Sequence, residues 1–190
     1  MLTEHEEFSF FWQGPFSQWH KCKFTVNGVD YNCTEQFMMA QKAILFKDDE
    51  IRDQIMAECD PRSQKKLGRK IRGFEKDLWD KHRYTIVLAG NLAKFTQNDD
   101  LKKILMATKL RTLVEASPLD KIWGIGLAEY TEDGYVVDDV YDRSKWKGIN
   151  LLGQALTQVR EMIKLNEYFD FEIQVPEADF LNSKYMDMKV

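Results

Sequence analysis

The chain has little of what would break it up or cross-link it. It contains 4 prolines and 10 glycines in 190 residues, with no repeat, no Gly/Ser linker and no low-complexity tract to mark a boundary. One well-buried domain is the default at this length. Its three cysteines, Cys22, Cys33 and Cys59, are odd in number and lack metal-ligand spacing, so three structural thiols in a reducing cytoplasm are expected. The three histidines, His5, His20 and His82, show no ligand spacing either, and neither a metal nor another cofactor is implied. No apolar run is long enough to cross a bilayer. The acidic, aromatic start "MLTEHEEFSFFWQG" lacks the basic residues and apolar run of a signal peptide, so no membrane association is expected. There is no phosphate-loop glycine pattern and no alternation of strands with helices, which excludes dinucleotide-fold dehydrogenases and P-loop NTPases.

What is present is globular: 44% hydrophobic and 31% charged residues, with a net charge of −4. The charge is uneven. Between Pro61 and Arg83, nine Lys/Arg face Glu75, Asp77 and Asp80, so this window is +6 and the remainder −10. A basic cluster on an acidic protein can bind phosphate locally while the overall field repels long nucleic acids. A solvated helix surface fits the same pattern.

"FTVNGVDYN" alternates around Asn27-Gly28, the strongest short signal for a hairpin. Thr34 is then placed to cap a helix through "EQFMMAQKAILF". Further helices are expected over "DDEIRDQIMAE", over "PRSQKKLGRK" with Asp60 as cap and Pro61 in the first turn, from about Glu75 to Phe95, and after Asn98. "INLLGQALTQVREMIKL" sets Leu152, Leu156, Val159 and Ile163 on one face of a last helix. "TEDGYVVDDVYD" reads as a strand or hairpin. The expected fold is α+β: a helix-dominated single domain with a small antiparallel sheet over residues 1–165, followed by an acidic aromatic extension (166–190) docked as an arm or extra strand.

Several constellations could carry chemistry. Glu35 lies in a helix first turn, where the partial positive charge favours an ionised carboxylate. Lys42 follows two turns later, about 10 Å along nearly the same face. Trp79 precedes Arg83 by one turn, an aromatic platform beside a phosphate donor or a core tryptophan beside a surface arginine. "SPLDKIWGIGL" gathers Asp120, Trp123 and Gly124, as a tight turn with a core tryptophan or as one wall of a ring-binding pocket. "WKGINLLGQAL" leads Trp146, Asn150 and Gly153 into a helix whose N–H groups would favour an anion.

Taken in order, "GPFSQW", "YNCTEQFMMAQKA", "LGRKIRGF", "LW", "SPLDKIWGIGL" and "WKGINLLGQALTQVR" resemble the NADAR family, also called YbiA-like, over about Phe8 to Ile163. The resemblance implies a helix-dominated α+β fold and cleavage of N-glycosidic bonds to ribose derivatives. One branch removes ADP-ribose from the amino group of guanine, and includes antitoxin domains paired with DNA ADP-ribosyltransferases. Another hydrolyses phosphoribosylamino-pyrimidine intermediates of riboflavin synthesis. The family's acidic, aromatic and aspartate positions fall on Glu35, Trp79 and Asp120, with Lys42 in the same helix. Glu35 and Asp120 would then stabilise an oxocarbenium ion and handle protons, or Lys42 would engage an opened sugar as a Schiff base. Trp79 and Trp123 would supply ring faces, and Arg69, Arg72 and Arg83 phosphate contacts. The expected substrate is ADP-ribosylated guanine, in nucleic acid or as a nucleotide. A small phosphoribosylamino compound is the alternative substrate, and a non-catalytic ADP-ribose-binding module is the alternative role. The insertion "AEYTEDGYVVDDVYDRSK" departs from the compact flavin-pathway branch and tilts the reading towards the guanine branch.

Overall fold

The computed structural model describes residues 7–169. Strand β1 (Phe8–Phe11) opens the described chain, and the Asn27-Gly28 turn joins β2 (Phe24–Val26) to β3 (Val29–Tyr31) as an antiparallel hairpin. Both turn residues have positive φ, 50° for Asn27 and 76° for Gly28, as this hairpin type requires. Helices α1 (Thr34–Leu45), α2 (Asp49–Ala57), α3 (Pro61–Gly68), α4 (Lys76–Thr96) and α5 (Asp99–Met106) follow, then β4 (Thr112–Glu115) and α6 (Leu151–Phe169). Of the C-terminal extension, residues up to Phe169 prolong α6, and the rest lies outside the described residues.

Helix α1 is the hub. Ten of its 12 residues are buried, because α2, α3 and α4 all pack on it. A helix covered on most sides shows no narrow apolar stripe, and its buried polar groups need partners. Gln36 meets that need by donating to the carbonyls of Ile55, Met56 and Glu58. The cap of α1 is Cys33 rather than Thr34: the Cys33 sulfur accepts from the Gln36 N–H, while the Thr34 hydroxyl donates to the Gln18 carbonyl at 3.2 Å. Asp60 caps α3 through the Ser63 N–H at 2.9 Å, with Pro61 in the first turn. Asn98 precedes α5 but makes no side-chain cap, since its amide donates to the carbonyls of Lys23 and Lys94.

Among the described residues, the strands form two separate two-stranded sheets, and only the β2–β3 hairpin is antiparallel. β1 and β4 pair in parallel, Phe8 opposite Thr112 and Phe11 opposite Glu115, a long-range pairing that no local turn announces. Side chains alternate across these strands. Phe11 and Leu113 enter the main core between α4 and α6, whereas Phe8, Phe10 and Val114 join Ile125, Leu127 and Val140 in a second cluster. The segment expected as a strand or hairpin forms instead a lone bridge, Tyr130 to Val136, and two short 3-10 turns, Asp138–Tyr141 and Arg143–Lys145. Its aromatics pack singly on the outer sheet face, Tyr141 edge-on to Phe10 and Trp146 edge-on to Phe8. Helix α6 buries Leu152, Leu156, Val159 and Ile163, and truncating one such leucine to alanine costs about 2–5 kcal/mol. Gly153 lets this helix ride directly on β4: a Cβ there would sit 2.0 Å from the Leu113 carbonyl oxygen.

Candidate active site

Two carboxyls, one on α1 and one at the end of β4, are buried without full compensation. Glu35, in the first turn of α1, is 1% exposed. Its backbone N–H donates to the Gln18 carbonyl at 3.0 Å, and its Oε2 accepts from the Trp19 indole at 3.3 Å. Its Oε1 has no partner among the described residues. Burial pushes the carboxyl up to about 7, and the charge of Asp120 adds to this; Lys65, the Trp19 bond and Arg69 oppose it. Glu115 ends β4, also with a buried, unpartnered oxygen. Burial and then the Asp120 charge push it up to about 8, with Glu35 also raising it and Lys65 opposing. Desolvation thus raises both glutamates towards neutrality.

Sequence reading missed Glu115, although a signal was there. In β4 it sits two residues after Leu113, so the strand period puts it on the face that enters the main core. A carboxyl at an inward position of an apolar strand is expensive unless it has a task. Lys65 was missed as well; it lies over the Trp19 ring at 5.9 Å and acts on both glutamates.

Asp120 reaches this cluster from the following loop. Its Oδ1 accepts from the N–H groups of Ile122 and Trp123 at 2.9 and 2.8 Å, which fixes the turn and sets its charge near both glutamates. Gly124 is required where the loop crosses the end of β4, since a Cβ there would lie 2.7 Å from the Glu115 carbonyl oxygen. From α1, Lys42 donates to the Gly68 carbonyl at 2.9 Å and lies over the rings of Phe74 (4.3 Å) and Trp79 (5.5 Å). Burial and then the charge of Arg69 depress its pKa, while Glu35 raises it. Glu35, Lys42, Arg69, Trp79 and Asp120 are thus brought into one neighbourhood.

Other expected members are elsewhere. Trp123 is 8% exposed and packs in the main core. Arg72 grips Asp48 through its backbone and side chain and also pairs with Glu50, holding the Asp48 carboxyl well below the usual range. Arg83 pairs with Asp80 on its own helix at 2.7 Å. The start of α6 offers no anion site: the N–H groups of Asn150, Leu151 and Leu152 donate to the carbonyls of Gly124, Ile122 and Trp123. The Asn150 side chain bridges the Leu113 carbonyl and the Glu115 N–H at 2.9 and 3.0 Å, and the Trp146 indole donates to the Val140 carbonyl. Asn150 and Gly153 thus brace β4 against α6. A cavity of about 600 Å³ lies by Tyr84, Arg143, Trp146, Gln154 and Gln158. Its lining holds no carboxylate and includes Gly148 and Asn150. Among the described residues, no group of three or more His, Cys, Asp or Glu is arranged to hold a metal ion.

Residues 9–164 match the model of the NADAR domain. The chain belongs to the NADAR family. It is 45% identical over 152 residues to an N-glycosidase of Acanthamoeba polyphaga mimivirus, covering 77% of this chain and 85% of that one. It is 39% identical over 143 residues to Protein irg-1 of Caenorhabditis elegans, covering 74% of this chain and 65% of the relative. The NMR structure of YbiA from E. coli superposes with a TM-score of 0.69 over 90% of this chain and 92% of that one, at 24% identity. That likeness establishes the fold of the described residues, and Glu35, Glu115 and Asp120 all lie inside the span matched by the family model.

Proposed function

We propose that this NADAR protein is an N-glycosidase that hydrolyses the bond between ribose C1 of ADP-ribose and the exocyclic amino group of guanine. The observation that carries the reading is the pair Glu35 and Glu115, each with an unpartnered buried oxygen and both raised towards neutrality. Two carboxyls in that range can divide acid and base work. Glu35, the first to ionise, takes a proton from water as the water oxygen bonds to C1. The C1–N bond breaks with its electron pair leaving on nitrogen, and protonated Glu115 returns a proton to the departing amine. Asp120 and the ionised Glu35 stabilise the positive charge that develops on the ribose ring.

The surroundings offer both ring faces for a purine and cations for a diphosphate. Phe74 is 45% and Trp19 40% exposed, and with Trp79 they offer ring faces around the cluster. Lys65 and Arg69 supply cations for phosphate oxygens. Lys42 lies over the Phe74 and Trp79 rings, whose faces attract a cation. In this reading it orients ribose hydroxyls rather than attacking C1. The relatives named N-glycosidases support the bond class.

The test is incubation with a guanine-ADP-ribosylated oligonucleotide and, separately, with phosphoribosylamino-pyrimidines, with products identified by mass spectrometry. Release of ADP-ribose and unmodified guanine is expected. Exclusive hydrolysis of the aminopyrimidine ribosides would move the protein to the riboflavin-intermediate role. Tight binding of ADP-ribose without cleavage of either substrate would make it a binding module.

A further inference from the structure

Lys94 is the least economical residue in the described chain. It lies on α4 with 0% exposure, and no carboxylate pairs with it among the described residues. Its Nζ donates to the Ser17 carbonyl at 3.0 Å and lies 5.1 Å from the Phe95 ring centroid. The titratable groups that act on it or feel its charge are His20, Cys22 and Cys33. An ammonium buried without a counter-ion costs several kcal/mol. That cost is not needed to satisfy Ser17, whose carbonyl already accepts from the His20 N–H at 3.2 Å. The lysine therefore does something other than fill a hydrogen-bonding vacancy.

What it grips is the turn that holds Glu35. One residue after Ser17, the Gln18 carbonyl accepts from both the Glu35 N–H and the Thr34 hydroxyl. One residue further, the Trp19 N–H donates to the Ser17 hydroxyl and the Trp19 indole donates to Glu35 Oε2. The turn is clamped from α1 on one side and from α4, through Lys94, on the other.

We propose that Lys94 is a positioning residue for Glu35, acting through the Ser17–His20 turn to fix the bond between Trp19 and the Glu35 carboxyl. The proposal rests on Glu35 being the base of the reaction, but the contact itself does not depend on which bond is cleaved. Burial lowers the pKa of Lys94 to about 8, so the grip weakens as the ammonium loses its charge above that pH. The device couples the setting of Glu35 to pH from a point that substrate does not touch.

The test needs no substrate. Indole N–H signals are followed by 15N NMR against pH, and Trp19 is identified as the signal lost in Trp19→Phe. The wild-type Trp19 signal is expected to move in two steps, one with Glu35 and a second, alkaline step with Lys94. In Lys94→Met the alkaline step should vanish and the first step should move to higher pH, because the indole bond that favours the ionised Glu35 is weakened. Lys94→Gln, which keeps a donor without a charge, should lose the alkaline step but retain most of the first. The alkaline step should persist in Glu115→Gln. A wild-type Trp19 signal with no alkaline step would overturn the proposal, as would a folded Lys94→Met protein with an unchanged Trp19 titration and only a lower Tm. If the NMR steps appear but no guanine adduct is cleaved, the positioning role stands and the substrate reading fails.

Discussion

The Trp19 indole nitrogen lies 3.3 Å from Oε2 of Glu35, a carboxyl whose other oxygen has no partner among the described residues. One oxygen is oriented and the other is left for a ligand or water. A structural carboxylate buried to this degree would have both oxygens satisfied. The half-satisfied state is therefore the mark of the site, and the first expectations concern it.

Glu35→Gln should lower turnover by about 100-fold or more, the usual scale for loss of a general base. Wild-type kcat/KM, which reports the groups of the free enzyme, should be bell-shaped in pH. It rises as Glu35 ionises near 7 and falls as Glu115 loses its proton near 8. Asp120→Asn removes the charge that raises both groups, so both limbs should move to lower pH. The variant amide oxygen can still accept from Ile122 and Trp123, so folding should survive. Unmoved limbs in Asp120→Asn would show that Asp120 does not act on the pair.

Over the acid limb, stability should fall as activity rises. The folded state raises Glu35 from 4.5 to about 7, so it binds the proton more tightly than the unfolded chain does. Wild-type protein then loses stability as pH climbs between those values, and the full penalty applies above the folded value. Glu35→Gln escapes the penalty, which is about 3 kcal/mol at 1.36 kcal/mol per pKa unit. Its Tm should exceed that of wild type at pH 8.5, with a difference that shrinks towards pH 4. Equal Tm values at pH 8.5 would mean that Glu35 is not desolvated as described.

Arg69 and Arg72 should separate cleanly although they are three residues apart. Arg69→Ala should raise KM for an ADP-ribosyl substrate with a smaller change in kcat, because phosphate contacts are shared by ground and transition states. Arg72→Ala strands the carboxylate of Asp48, whose side chain is 1% exposed, so it should lower Tm and leave KM unchanged. A KM effect confined to Arg72→Ala would place the phosphate on the other side of α3.

Borohydride added during turnover distinguishes the two ways in which Lys42 could serve. With water as the nucleophile, no covalent adduct should form. A reduced ribosyl–protein adduct that disappears in Lys42→Met would instead establish a Schiff base on the opened sugar.

The sequence by itself determined most of the local structure. The Asn27-Gly28 hairpin, the Asp60-Pro61 start of α3 and the buried stripe of α6 each follow from a few neighbouring residues, because caps, turn dihedrals and helical period act over short distances. Ordered motifs also marked the family. What the sequence did not carry was anything decided by residues far apart in the chain. The parallel pairing of Phe8–Phe11 with Thr112–Glu115 turned Glu115 inward and brought it within electrostatic reach of Glu35, 80 positions away. The same packing spent the α6 N–H groups on loop carbonyls, drew the Trp123 ring into the core and sent Arg72 to Asp48. Motif spacing identifies residues that could meet a ligand. Which of them do depends on desolvation and on the competing partners that only the folded chain brings within reach.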